Sequence, residues 1–157
     1  MIGFEQHDHH TCIATNVAAA EERCRANGLR LTNVRRRVLE ILLEHHRAIG
    51  AYDILEVLKD EGLGAQPPVA YRALDFLVAN GFAHKIERLN AFVACGHPAG
   101  ECAPAFLICR SCRKVAEAQA SPTDGALGAS ADAAGFKIER AVVEAVGLCP
   151  KCQTDPA

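Results

Sequence analysis

Two cysteine pairs have the spacing of a metal site. The segments CRSC (Cys109 and Cys112) and CPKC (Cys149 and Cys152) each separate two thiols by two residues. One such turn supplies two corners of a tetrahedron and a second supplies the other two, with zinc–sulfur bonds of about 2.3 Å. Redox chemistry and disulfides are the alternatives, but a redox motif normally occurs singly and starts a helix. The pairs therefore favour a structural zinc site, which stabilises a fold and indicates no particular function.

The number of cysteines also bears on the compartment. The chain holds eight of them, and its first residues, MIGFEQHDHHTC, have neither the basic nor the apolar part of a signal peptide. No apolar run approaches the roughly 18–20 residues of a membrane span. We therefore expect a cytoplasmic protein with no membrane partner, whose cysteines serve metal or redox chemistry rather than structural disulfides.

Basic residues are concentrated near the N-terminus, although the net charge of the chain is only −2. Residues 20–37 contain six arginines and two glutamates, a local balance of +4. The arginines are Arg23, Arg25, Arg30, Arg35, Arg36 and Arg37. A local basic surface is compatible with nucleic-acid binding in a protein that is acidic overall.

Periodicity predicts helices first and strands later. Four helical patterns cover residues 16–28, 32–46, 51–62 and 67–81. Asn16 is the predicted cap of the first helix, and Thr32 or Asn33 that of the second. The segment FAHKIERLNAFVAC then alternates around a turn at Arg88–Asn90, which predicts a hairpin. Several short helices followed by a hairpin are typical of a winged helix-turn-helix.

The second half of the chain has a different pattern. The Gly/Pro-rich segment GHPAGECAP predicts a linker, and strand, helix and strand patterns follow it. The predicted fold class is therefore α+β, with an N-terminal winged helix-turn-helix and a small C-terminal α/β dimerisation domain. The predicted parts are a mobile His-rich tail (1–15), a DNA-binding domain (16–94), a hinge (95–103) and the dimerisation and zinc-binding domain (104–157).

The helix predicted over 67–81 carries an exposed pair that suits DNA. Its apolar residues share one face, which leaves Tyr71 and Arg72 pointing away from the core. An aromatic residue beside an arginine near a helix N-terminus suits contact with a thymine methyl group and with a purine or phosphate. A solvated helix face is the alternative for this stretch alone.

Six motifs together resemble one family. RLTNVRRRVLEIL, AYDILEVLK, PPVAYRALDFL, GFAHKIE, CRSCRKVAE and GLCPKC occur in the order seen in the ferric-uptake-regulator superfamily, and resemble most its zinc-uptake-regulator branch. The resemblance covers residues 17–152 and implies a homodimeric repressor of zinc-uptake genes that binds double-stranded, AT-rich palindromic operators when zinc is bound. It implies structural zinc at the four cysteines, minor-groove contact by Arg30, and major-groove reading by Tyr71 and Arg72.

The resemblance also implies a second, regulatory zinc site. His84, Cys95 and Glu117 match three ligand positions of this branch. Cys102 stands where the branch has a fourth ligand, a histidine, and His97 is a nearby substitute; Cys102 is favoured. One imidazole, one or two thiolates and a carboxylate suit zinc better than iron or manganese. GECAPAF also replaces the His-rich segment of iron and peroxide sensors, although another sensor of the superfamily remains an alternative.

The N-terminal histidines allow one more zinc site. His7, His9, His10 and Cys12 form either a metal-binding cluster or a disordered tail. We therefore expect two zinc ions per protomer, or three if the tail binds one. Zinc storage or delivery is a further alternative. Enzyme activity and a small organic substrate are not expected, because no HExxH-like motif provides an open zinc site with a nearby base.

Overall fold

The computed structural model describes residues 4, 9–45, 47–96, 105–118 and 121–155. The chain divides into two compact units. The first unit is Glu5–Gly100, and the second consists of Glu101–Ala157 together with Met1–Phe4. The division falls inside the segment 95–103 that we predict as a hinge. Within the described ranges, no helix is both long and apolar enough to cross a membrane.

The first unit is a winged helix-turn-helix, which confirms the predicted fold class. Its elements are α1 (His9–Ala26), α2 (Asn33–Glu44), α3 (Ala51–Asp60), α4 (Pro67–Ala79), β1 (Ala83–Ile86) and β2 (Ala91–Ala94). The two strands pair antiparallel, and Ile49 forms a bridge with Phe92 beside them. The hairpin turns at Asn90, whose φ of 45° lies in the left-handed region that asparagine tolerates.

Local sequence signals explain where α2 begins and where α4 begins and ends. The Thr32 hydroxyl accepts a hydrogen bond from the Arg35 backbone N–H at 3.3 Å, as an N-cap does. Prolines occupy the first turn of α4, where a missing N–H costs nothing. Gly81, with φ of 74°, follows α4 and allows Phe82 N–H to donate to the Leu77 carbonyl at 2.8 Å. This capped end leads directly into the hairpin.

The start of α1 corrects the prediction. The helix begins at His9, so Asn16 is inside it rather than at its cap, and its side chain donates to the Cys12 carbonyl at 2.8 Å. The predicted tail 1–15 therefore includes the first turns of a helix. An apolar stripe at helical spacing explains the extension, because these residues pack together in the core: Ile13, Val17, Ala20 and Cys24.

The second unit is a three-stranded sheet with two short helices. Its elements are β3 (Ala105–Cys109), β4 (Val115–Ala118), α5 (Ala126–Ala133), β5 (Val143–Gly147) and α6 (Pro150–Thr154). The strand order is β4-β3-β5; β3 pairs antiparallel with β4 and parallel with β5, and α5 lies in the crossover. The strand pattern over 136–149 predicts a longer β5 than the structure has. Every residue of β5 pairs with a residue of β3, so the five-residue partner sets its length.

The edge strand β5 exposes apolar side chains. Val143 and Val146 are exposed on it, and Leu107 is exposed on the adjacent β3. An edge strand also presents unpaired backbone donors and acceptors. This combination is typical of a surface that pairs with another chain.

One arginine joins the ends of α2 and α3. The Arg37 guanidinium donates to the Glu61 carboxylate through two nitrogens, at 2.8 Å each, and to Glu44 at 2.8 Å. The Arg37 hydrogen bond holds the pKa of Glu61 below its ordinary value.

We expect Arg37→Met to lower the melting temperature by a few degrees at pH 7. A lowered carboxylate pKa stabilises the fold above the unfolded-state pKa, and this contribution disappears as the pH falls through the folded-state pKa. The difference between variant and wild type should therefore shrink below about pH 4. Thermal denaturation followed by circular dichroism at pH 7 and at pH 3.5 measures both values. A difference that grows at low pH would contradict the role of this ion pair.

Candidate functional sites

The four cysteines of the paired motifs form one cluster in the second unit. Their sulfur atoms all lie within 4.8 Å of one another, and the sulfurs of Cys112 and Cys149 are 3.8 Å apart. A tetrahedron with zinc–sulfur bonds of about 2.3 Å has edges of about 3.8 Å. Cys109, Cys149 and Cys152 are buried, whereas Cys112 is half-buried. The donor set and its spacing therefore fit a closed tetrahedral zinc site.

The parallel pairing of β3 and β5 explains why the two motifs meet. Cys109 is the last residue of β3 and pairs with Gly147, the last residue of β5. Both cysteine turns therefore begin at the same end of the two strands. The backbone N–H of Arg110 donates to the Gly147 carbonyl at 2.9 Å, and that of Cys149 donates to the Cys109 sulfur at 3.4 Å. The cluster is thus built from strand register and two tight turns.

The electrostatic environment favours a thiolate at one of the four positions. Burial raises the pKa of the Cys109 thiol, but backbone N–H donation from Cys112, Cys149 and Ser111 outweighs it and lowers that pKa to about 6. For Cys112, burial is the largest contribution and raises the pKa to about 11. A thiolate is the form of cysteine that binds zinc. The backbone donors around Cys109 would therefore help it to act as a thiolate ligand of a zinc ion.

The hairpin brings together His84 and Cys95. A ring nitrogen of His84 and the sulfur of Cys95 lie within 4.8 Å of each other. His84 pairs with Val93, and Cys95 lies two residues beyond Val93, so both side chains are on the same face of the hairpin. The Cys95 N–H donates to the Phe82 carbonyl at 2.9 Å, which continues the ladder. Strand register therefore presents two metal-binding groups side by side.

Cys95 is an exception to the expectation that the cysteines are free thiols. It is disulfide-bonded, whereas the other described cysteines are free. A sulfur in a disulfide has no thiolate form, and zinc binds the thiolate. The reduced form of Cys95 is therefore the only one that is able to bind zinc.

Glu117 lies in the second unit. It occupies β4 opposite Phe106 and is the one buried charged residue among those described. Burial of a carboxylate is costly unless it meets a cation or hydrogen-bond donors. Glu117 thus offers a buried carboxylate, a group that zinc accepts as a ligand.

The remaining metal candidates are less well placed. Cys102, His97 and His7 lie outside the described residues, as does the side chain of His9. His10 and Cys12 lie on α1 two positions apart, so their side chains point in different directions. Within the described part of the chain, neither belongs to a group of side chains close enough to hold a metal.

The two predicted recognition residues are exposed on α4. Tyr71 and Arg72 both point to solvent, while Ala70, Ala73 and Leu74 beside them are buried. Arg72 forms no ion pair or hydrogen bond with any other described side chain. The helix therefore presents an aromatic ring and a guanidinium group that are available to a partner.

Most of the positive charge of residues 20–37 is paired with other groups in the folded protein. Five of the six arginines are held by partners: Arg25 by Glu22, Arg36 by Glu21, Arg37 by three glutamates, Arg23 by the Asn80 carbonyl, and Arg35 by the Arg30 carbonyl and the Phe76 ring. Only Arg30 has an exposed side chain without such a partner among the described residues. The local charge of +4 thus does not form a general basic patch.

Two contacts of this segment have no signal in the sequence. The Arg35 guanidinium lies 3.7 Å from the centroid of Phe76, and that of Arg23 lies 4.7 Å from the centroid of Phe82. Stacking between an arginine and an aromatic ring distant along the chain follows no periodicity. Composition and spacing therefore could not identify Arg23 and Arg35 as residues that contact α4 and its C-terminal end.

The chain is similar to several known proteins. No protein-family model matches it. The zinc uptake regulation protein of Escherichia coli (strain K12) is 38% identical over 139 residues, which cover 87% of this chain and 80% of that protein. A zinc uptake regulator solved in complex with zinc and DNA is 36% identical, with a TM-score of 0.84 over 90% of this chain and 95% of the other. The holo form of the regulator XcZur is 40% identical, with a TM-score of 0.78 over 89% of this chain and 98% of the other. Sequence and fold agree, and the chain belongs to the zinc uptake regulator family.

Proposed function

We propose that this protein is a zinc-responsive transcriptional repressor. As a homodimer it binds double-stranded operator DNA when its regulatory site holds zinc, and so controls zinc-uptake genes. The observation that carries the proposal is the likeness, along nearly the whole chain, to a zinc uptake regulator solved with zinc and DNA. The proposed function includes a cytoplasmic location and no enzyme activity.

We assign two zinc sites with different roles. The cluster of Cys109, Cys112, Cys149 and Cys152 is the structural site, because four mutually close sulfurs leave no open coordination position. The regulatory site uses His84, Cys95 and Glu117, with Cys102 as the fourth ligand and His97 as its substitute. The shared face of His84 and Cys95 and the burial of Glu117 support this assignment. A third zinc at His7, His9, His10 and Cys12 stays a prediction.

In this proposal, the regulatory zinc selects one arrangement of the two units of the protein. Its proposed ligands come from both units, so zinc restricts how the units can be arranged. A palindromic operator requires one separation of the two recognition helices in the dimer. Zinc therefore shifts the population towards the arrangement that binds DNA, without a change in the contact residues themselves.

The dimer contact is proposed at the edge of the sheet. The exposed apolar residues Leu107, Val143 and Val146 lie on or beside β5, which is the outer strand of this sheet among the described residues. Pairing of this surface with a second copy would cover apolar area and satisfy the backbone groups of β5.

We propose that Arg30, Tyr71 and Arg72 contact DNA. For Arg72→Ala we expect specific binding to weaken by about 1–3 kcal/mol, because a guanidinium group reads a guanine edge through two hydrogen bonds. Fluorescence anisotropy with an operator selected from random DNA, and with a scrambled duplex, measures the loss on each. Arg25→Ala is the matched control, since Arg25 is exposed and paired with Glu22. An equal loss on both duplexes would instead indicate a phosphate contact.

A metal-resolved binding experiment tests the function as a whole. Mobility shifts are recorded on the promoter of the protein's own gene and on zinc-transporter promoters, at buffered concentrations of free zinc, iron and manganese. Retardation that requires zinc supports the proposal. A response to iron or manganese at lower concentration would indicate a different sensor, and no binding to any promoter would indicate zinc storage or delivery.

A further inference from the structure

The backbone around Arg30 is held from three sides. The Arg35 guanidinium donates to the Arg30 carbonyl at 2.6 Å. Leu31 packs against the core of the unit, and Thr32 caps α2 through the Arg35 N–H. The Arg30 side chain nevertheless remains exposed. A free side chain on an anchored backbone is the arrangement expected of a pre-organised binding group.

The same guanidinium group also contacts the recognition helix. Its carbon lies 3.7 Å from the centroid of the Phe76 ring on α4, within the range of a cation–π contact. Phe76 is four residues after Arg72, so the two side chains are neighbours on one face of the helix. Arg35 therefore joins the Arg30 carbonyl to the helix face that carries Arg72.

We propose that Arg35 is a positioning residue that holds Arg30 and the recognition helix in one fixed relation. This inference rests on the proposed DNA contacts of Arg30, Tyr71 and Arg72. Arg35 acts through the Arg30 backbone and the Phe76 ring, so that the two groove contacts are presented as a unit. Lysine cannot replace it, because an ammonium group lacks the flat face and forked donors with which Arg35 stacks and donates at once.

The test uses the full-length, zinc-loaded protein and a duplex that the wild type selects from random DNA. We expect Arg35→Lys to lower the affinity for this duplex about tenfold. In an Arg30→Ala background, the same change should cost clearly less than tenfold, because only the contact of Arg35 with α4 is then left to lose. We also expect NMR order parameters of the Arg30 and Leu31 amides to fall from about 0.85 towards 0.6 in the single variant without DNA.

Two further variants separate positioning from folding. Phe76→Leu removes the ring while keeping an apolar side chain, and it should reproduce the loss of affinity and of order at Arg30. Arg23→Lys is the matched control, because Arg23 contacts the other end of α4, at the Asn80 carbonyl and the Phe82 ring. It should leave the order parameters at Arg30 unchanged.

Two results would overturn the inference. One is unchanged order at Arg30 and Leu31 in Arg35→Lys, and the other is an equal loss of affinity with and without Arg30. Failure of the proposed DNA contact is a separate result: Arg30→Ala would then bind the duplex as tightly as wild type, while the order parameters would still report on Arg35.

Discussion

Replacing Cys109 with serine is expected to unfold the unit that contains β3, β4 and β5. Structural zinc contributes on the order of 10–16 kcal/mol of apparent binding free energy, as much as the whole stability of an ordinary domain. A serine hydroxyl is neutral at pH 7 and does not replace a thiolate. The cysteine turns follow the paired ends of β3 and β5, so without the metal only backbone pairing would hold this end of the sheet.

The measurements are zinc content, thermal unfolding and oligomeric state. We expect the variant to lose the tightly held zinc, to melt without a cooperative transition for this unit, and to run as a monomer because β5 no longer offers its edge. Cys24→Ser is the matched control, a buried thiol that belongs to no metal cluster among the residues that the structure describes. It should cost only about 0.5–3 kcal/mol and keep both zinc ions. A stable Cys109→Ser dimer with full zinc content would contradict the structural role of the cluster.

Replacing Cys95 with serine is expected to have the opposite profile. The protein should remain folded and dimeric, retain the structural zinc, and lose zinc-dependent operator binding. If zinc raises the fraction in the DNA-binding arrangement from about 1% to near unity, loss of the metal weakens operator binding about 100-fold. Isothermal titration with zinc and anisotropy with operator DNA measure the two effects.

The redox state must be controlled in this comparison. Cys95 is disulfide-bonded in the structure, so the wild type should be titrated in the presence of a reductant. Cys102→Ser and His97→Ala, measured alongside, identify the fourth ligand: the ligand's variant should behave like Cys95→Ser and the other like wild type. Zinc-dependent binding that persists in Cys95→Ser would remove Cys95 from the regulatory site.

The helical and strand pattern was largely readable from the sequence because its signals are local. The Thr32 cap, the prolines at the start of α4 and the turn that ends at Asn90 all lie where the residues predict them. The start of α1 is the exception, because the helix begins before the predicted residue. The sequence does contain a sign of this earlier start, since Ile13 extends the apolar stripe of Val17 and Ala20. Asn16 lies between Ile13 and Val17, and its preference for N-cap positions favoured a later start.

The sequence alone determined the two cysteine motifs, the capped helices and the exposure of Tyr71 and Arg72, because each depends on residues within one turn or one helix face. Tertiary structure decided what depends on distant partners. Parallel pairing of β3 with β5 brought two cysteine turns about 40 positions apart to within 4.8 Å. Packing also decided which arginines stay available, since five of the six in residues 20–37 found a carboxylate, a carbonyl or an aromatic ring. Charge can be counted along a chain, but its neutralisation is a matter of which side chains come within hydrogen-bonding distance once the helices pack.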